Sequence, residues 1–142
     1  MQKEENLMGG RGTFASGRSV PSTYKTLGRV YDVKVLAGLD SSHHGLPEES
    51  KTSWAYIKLK PDGKTFHEMR IYNANHEVVM DIGYHGEGKL NRGDRKTPIL
   101  HAHDYAEGGA FKHRSTRWLT DEEYLKYKKY FIGVPEDAKR RS

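Results

Sequence analysis

Three histidines, His85, His101 and His103, fall in the stretch DIGYHGEGKLNRGDRKTPILHAHDY, residues 81–105. Alternate residues of a strand share a face, so His101 and His103 point one way while Leu100 and Ala102 point the other. His85 ends the preceding alternating run, four residues after Asp81. Should these two strands lie side by side, His85 meets the His-x-His pair. Imidazole titrates near neutral pH and can act as acid or base. The set therefore suits metal-independent cleavage of a phosphodiester. One group takes the proton of the attacking hydroxyl, another protonates the leaving oxygen, and a cation faces the phosphorane charge. His85, His101 and His103 are the candidate catalytic groups, with Arg70 as the candidate cation. Lys89 offers a second cation on the substrate side, and Tyr72 and Tyr84 could stack on a base.

The same residues form a nitrogen and oxygen donor set of the kind zinc accepts. Two histidines on one strand stand about 7 Å apart at the backbone, twice the strand rise, and can pinch an ion. Any further ligand must come from YHGEG, whose glycines are expected to loosen the backbone, and the chain has no cysteine. No stoichiometric transition metal and no cofactor is expected. The plainest alternative makes the cluster ordinary polar groups at a sheet edge. His43 and His44 sit in a Ser- and Gly-rich loop, and His67, His76 and His113 are read as unremarkable surface positions. The glycines of MGGRG and GEGK do not make a phosphate-binding loop, because neither joins a strand to a helix with the Lys-Ser/Thr ending. No nucleophile elbow is present.

The elements that must position these groups follow from periodicity. RVYDVKVLAG alternates Tyr31, Val33 and Val35 against Asp32 and Lys34 and reads as a strand. SWAYIKLK places Ala55, Ile57 and Leu59 on one face, with Trp54, Tyr56, Lys58 and Lys60 on the other. PDGK turns the chain. FHEMRIY puts Met69 and Ile71 inward and Glu68, Arg70 and Tyr72 outward. NANH is a second turn, since Asn tolerates left-handed backbone angles. EVVMDIGYH sets Val78, Met80 and Ile82 opposite Val79 and Asp81, and TPILHAHDY reads as a further strand. LTDEEYLKYKKYF is a helix, opened by the Thr120/Glu123 capping box and stopped by Gly133 and Pro135. Its apolar stripe is Tyr124, Tyr127 and Phe131. The expected fold is α+β, an antiparallel meander of four to five strands with a C-terminal helix.

The chain of 142 residues suits one domain with a modest core, since only 35% is hydrophobic and 30% is charged. Residues 1–23, rich in Gly, Ser and Arg, are expected to be a disordered arm. Residues 24–134 form the domain, and 135–142 a flexible basic tail. The absence of cysteine excludes disulfide scaffolds and thiolate chemistry. No apolar run nears the roughly 20 residues of a membrane span, and the start lacks a signal-peptide core. The expectation is a cytoplasmic protein. Of the net charge of +5, residues 112–142 carry most, with nine Lys/Arg against five Asp/Glu. A basic C-terminal third suits an acidic partner such as RNA, or simply a solvated helix.

Several segments together resemble a known group. HGLPEES, YIKLKPDGK, MRIYNANHEVVMDIGYH and PILHAHDY follow, over about residues 44–105, the order found in a prophage domain of Gram-positive bacteria. That domain forms toxin-like C-terminal parts of phage minor head (MuF-type) proteins and small free-standing phage proteins. The resemblance implies an α+β fold of the barnase/EndoU/colicin/RelE ribonuclease type. Arg70, Tyr72, Asp81, His85, His101 and His103 are the matched polar positions. Gly83 replaces a second acidic residue of the pattern, and two residues are inserted between Pro98 and His101. The implied function is RNA binding and cleavage in a bacterial host cell. The alternative is a non-enzymatic phage accessory protein, associated with the virion through a head or portal protein.

Overall fold

In the computed structural model, which describes residues 24–38, 45–106 and 110–142, seven strands form one sheet in chain order. They are β1 (Tyr24–Val30), β2 (Val33–Gly38), β3 (Ala55–Leu59), β4 (Phe66–Tyr72), β5 (Val78–His85), β6 (Ile99–Ala106) and β7 (Ala110–Trp118). Every neighbouring pair is antiparallel except β2 and β3, which run parallel. Helix α1 (Asp121–Tyr127) continues into a 3₁₀ turn at Lys128–Tyr130. The expected α+β class and the antiparallel β3–β4–β5 meander are present, but four to five strands is an undercount. RVYDVKVLAG is a hairpin rather than one strand, turning at Tyr31 and Asp32 with Tyr31 at φ 54°. Nothing in Tyr-Asp announces that turn, because such positive φ is normally left to Gly or Asn. β7 has no apolar alternation to betray it.

The sheet carries a core on each face. On one side α1 and the 3₁₀ turn lay Tyr127, Tyr130 and Phe131 against Ile57, Met69, Ile82 and Leu100. The capping box is formed as expected: Thr120 Oγ1 accepts from Glu123 N, and Thr120 N donates to Glu123 Oε1. Arg117 of β7 ties the helix to the sheet, reaching Asp104 at 2.6 Å and Glu123 at 2.8 Å. On the other side Tyr24, Leu36, Leu46, Tyr56, Tyr72, Val78 and Tyr105 form a second, smaller core. The face assigned to solvent around Tyr56, Arg70 and Tyr72 is therefore buried. Residues 45–50 cover it, with Leu46 packed into the aromatics.

Two irregularities re-aim side chains. Lys58 pairs with Glu68 but Leu59 with Phe66, so His67 is an extra residue in β4. Ile71 pairs with Met80 but Tyr72 with Val78, so Val79 is extra in β5 and Val78 joins the Tyr72 face. Bulges of this kind bend a strand and break its alternation. The PDGK and NANH turns form as read, held by the Asp62 and Asn73 side chains accepting from backbone amides. The segment expected to be a loose basic tail is instead fastened. Leu100 N donates to Lys139 O, and Arg140 and Arg141 each reach Asp121 at 2.6 Å. Residues 1–23 and the His43–His44 pair lie outside the described residues. Among the described residues no helix is long and apolar enough to cross a membrane.

Candidate functional site

The β5–β6 ladder decides where the histidines meet. Its register sets Asp81 opposite His103, Gly83 opposite His101 and His85 opposite Ile99. Residues 81, 83, 85, 101 and 103 thus share the sheet face opposite α1. The rings run in a row. His85 stands edge-on to His101 with centroids 4.5 Å apart, and His101 edge-on to His103 at 5.3 Å. The row gains a fourth member, because the extra residue in β4 stacks His67 on His85 at 5.1 Å. Gly83 makes the close approach possible. A Cβ there would lie 2.8 Å from His85 Nε2 and 3.3 Å from His101 Cε1. The rings occupy the room that an acidic side chain at this position would need.

Ring nitrogens of His85, His101 and His103 are anchored, and His85 Nδ1 lies 3.0 Å from the Gly86 carbonyl. His101 Nδ1 lies 3.0 Å from the Ile99 carbonyl, which can only accept, so Nδ1 carries the proton and neutral His101 leaves Nε2 as a bare acceptor. That Nε2 is fully buried and has no hydrogen-bond partner among the described residues. His103 Nδ1 lies 3.0 Å from Thr116 Oγ1 of β7. Burial holds His101 down to about 4, against the partly compensating Ile99 contact. Burial also lowers His103, assisted by the charge of Arg114. Both rings are therefore neutral at pH 7.

A carboxylate closes the cluster. One oxygen of Glu87 and one ring nitrogen each of His101 and His103 lie within 4.8 Å of one another. Glu87 belongs to the loop after β5, which was expected to be loose because of its glycines. It is tied down. Leu90 N and Asn91 N donate to Glu87 O, Gly93 N to Gly88 O, and Lys139 Nζ to Asn91 Oδ1. Gly86 packs so closely under the Arg95 backbone that a Cβ would stand 1.9 Å from Arg95 O. Here glycine marks tight contact, not freedom. Glu87 and His67 are the site residues that sequence reasoning missed. Glu87 carried a faint signal, two residues past His85, whereas His67 depends on the bulge.

The remaining candidates are placed otherwise. Arg70 is only 4% exposed and is a strut, not a cation offered to substrate. Its Nε donates to Asp81 Oδ1 at 2.7 Å and its Nη1 to Leu46 O at 2.6 Å, with Glu68 at 3.4 Å. Tyr105 OH also donates to Asp81 Oδ2. Burial raises the Glu68 carboxyl above its usual range, with Asp81 adding to the effect. Tyr72 is buried with its hydroxyl on Pro47 O, and burial pushes that hydroxyl far up. No base can stack on it in this arrangement. Tyr84 sits on the opposite face, packed against the helix-side core beneath Lys60 Nζ. Lys89 is exposed, two residues beyond Glu87. Arg114, also exposed, reaches Tyr105 OH at 3.5 Å. A pocket lined by Met80, Glu122, Glu123, Lys126 and Tyr127 lies on the helix side, away from the histidines.

This is an imidazole row with a neighbouring carboxylate, able to move protons or to hold a cation. No protein-family model, no curated protein and no solved structure matches the chain.

Proposed function

We propose that this chain is a toxin-like domain that binds RNA and cleaves it at the histidine face, without a metal ion. The observation that carries the reading is the convergence of His85, His101 and His103 on one face, with Glu87 beside them. Cleavage of RNA needs a base for the 2′-hydroxyl and an acid for the departing 5′-oxygen. In the proposed reaction neutral His103, with Glu87 facing its developing positive charge, takes the 2′-hydroxyl proton, the 2′-oxygen bonds to phosphorus as the P–O5′ bond breaks, His85 gives the departing 5′-oxygen a proton, and a 2′,3′-cyclic phosphate results. His85, half-buried at the end of the row, meets the leaving group. His101 is wholly enclosed and acts as the wedge that fixes the flanking rings. Arg70 has no direct part, being committed to Asp81. The exposed cations Lys89 and Arg114 supply the phosphate contacts.

The phage setting rests on the resemblance over residues 44–105. The alternative, an accessory protein docking on a head or portal component, would draw on the Gly- and Arg-rich residues 1–23, which lie outside the described residues. No described feature favours it. Incubation of tRNA and mRNA with the purified protein in chelator tests the proposal. Fragments ending in cyclic phosphate are expected, and intact RNA overturns it.

A further inference from the structure

The buried nitrogen of His101 calls for a partner. A desolvated acceptor left without a hydrogen bond is destabilising, and most folded proteins avoid it. Here it is 0% exposed and lies in a cluster whose other members are also donors of lone pairs.

We infer that Glu87, His101 and His103 form a binding site for one transition-metal ion of the zinc class. Three observations converge. First, the donor atoms, one carboxylate oxygen and two ring nitrogens, already lie within 4.8 Å of one another. Zinc bonds of about 2.0–2.2 Å require donors roughly 3.4 Å apart in a tetrahedron, a closure within reach of side-chain rotation. Second, the outer contacts are those of a ligating histidine. Ile99 O takes the Nδ1 proton of His101, leaving Nε2 for the ion, and Thr116 Oγ1 holds Nδ1 of His103. Third, the carboxylate is borne by an ordered loop, with two amides donating to Glu87 O. The ligand that would need a mobile segment, had His85 been third, comes from a fastened one.

Two histidines and a glutamate leave a fourth position for water, as in open zinc sites. The chain has no cysteine, so the set favours zinc, cobalt or nickel over softer ions. The metal site stands on its own geometry. Only its effect on activity rests on the proposed RNA cleavage: a bound ion takes the lone pairs that reaction uses and shuts it off.

The test is calorimetric titration of chelator-stripped, full-length protein with Zn²⁺, together with the visible absorption of the Co²⁺ form. One ion per chain is expected, with a tetrahedral cobalt spectrum. Glu87→Gln and His103→Ala should each weaken binding by about tenfold or more. His76→Ala, on the distant β4–β5 turn, should not. Circular dichroism of each variant separates lost ligands from lost fold, and Glu87→Gln, on the loop, is the variant least able to unfold the sheet. Binding at another stoichiometry, or indifferent to both ligand variants, overturns the inference. If zinc binds as stated but RNA cleavage rises with it, the metal site stands and the metal-free reaction fails. If RNA is never cut while zinc binds, the proposed function fails alone.

Discussion

Gly83 lies directly across the β5–β6 ladder from His101, and the His85 ring fills the space where its side chain would stand. The missing side chain is thus what allows two imidazoles to touch.

Gly83→Asp should therefore split the row. The new Cβ falls 2.8 Å from His85 Nε2, so the ring must swing out. Overpacking of this kind costs about 1–3 kcal/mol. The expected result is a folded protein with shifted His85 and His101 ring resonances and RNA cleavage reduced at least about 100-fold. Unshifted resonances with full activity would show that the contact is incidental.

Arg70 and Asp81 make the opposite prediction, a large effect on stability with no specific role in cleavage. Their pair is 2.7 Å long and nearly sealed from water. Removing one partner of a buried ion pair strands the other, at about 3–5 kcal/mol. Arg70→Met and Asp81→Ala should each lower the free energy of unfolding, measured by urea denaturation, by that order, and whatever fraction stays folded should cleave normally. A stable Arg70→Met protein without activity would restore Arg70 as the catalytic cation.

Burial of His101 gives the metal-free protein a pH-dependent stability. Unfolded, the ring binds a proton near 6.5; folded, it does so only near 4. Between these values the unfolded chain holds more protons, so stability rises with pH across that window. The contribution is full above about pH 6.5 and is lost as pH falls toward 4, by about 3 kcal/mol in all. His103, lowered by the same burial, adds in the same direction. Urea unfolding from pH 7.5 to 4.5 should show the decline, and His101→Gln should flatten it. A slope unchanged in that variant would mean that His101 is hydrated in solution.

The meander and the capped helix were legible because their signals are local: alternation, an Asp-Gly turn, a capping box. The shared face of His101 and His103 was legible for the same reason. What the sequence hid depends on pairing. The segment at 45–50 covers Arg70 and Tyr72, so an outward face by alternation became an interior one. The bulge at His67 breaks the parity on which alternation relies. The glycines of YHGEG read as slack, yet Gly86 is there because Arg95 O leaves no room for a side chain. Glu87 was overlooked because its proximity to His101 arises only when that loop folds back.

Proton transfer at the histidine face is read out by RNA cleavage kinetics in chelator, wild type beside Glu87→Gln and His103→Ala. Cleavage of RNA but not DNA is expected, with cyclic phosphate ends and losses of about 10²–10⁴ in kcat/KM for either variant. RNA left intact by the folded wild-type protein, or cut equally by all three, would contradict it.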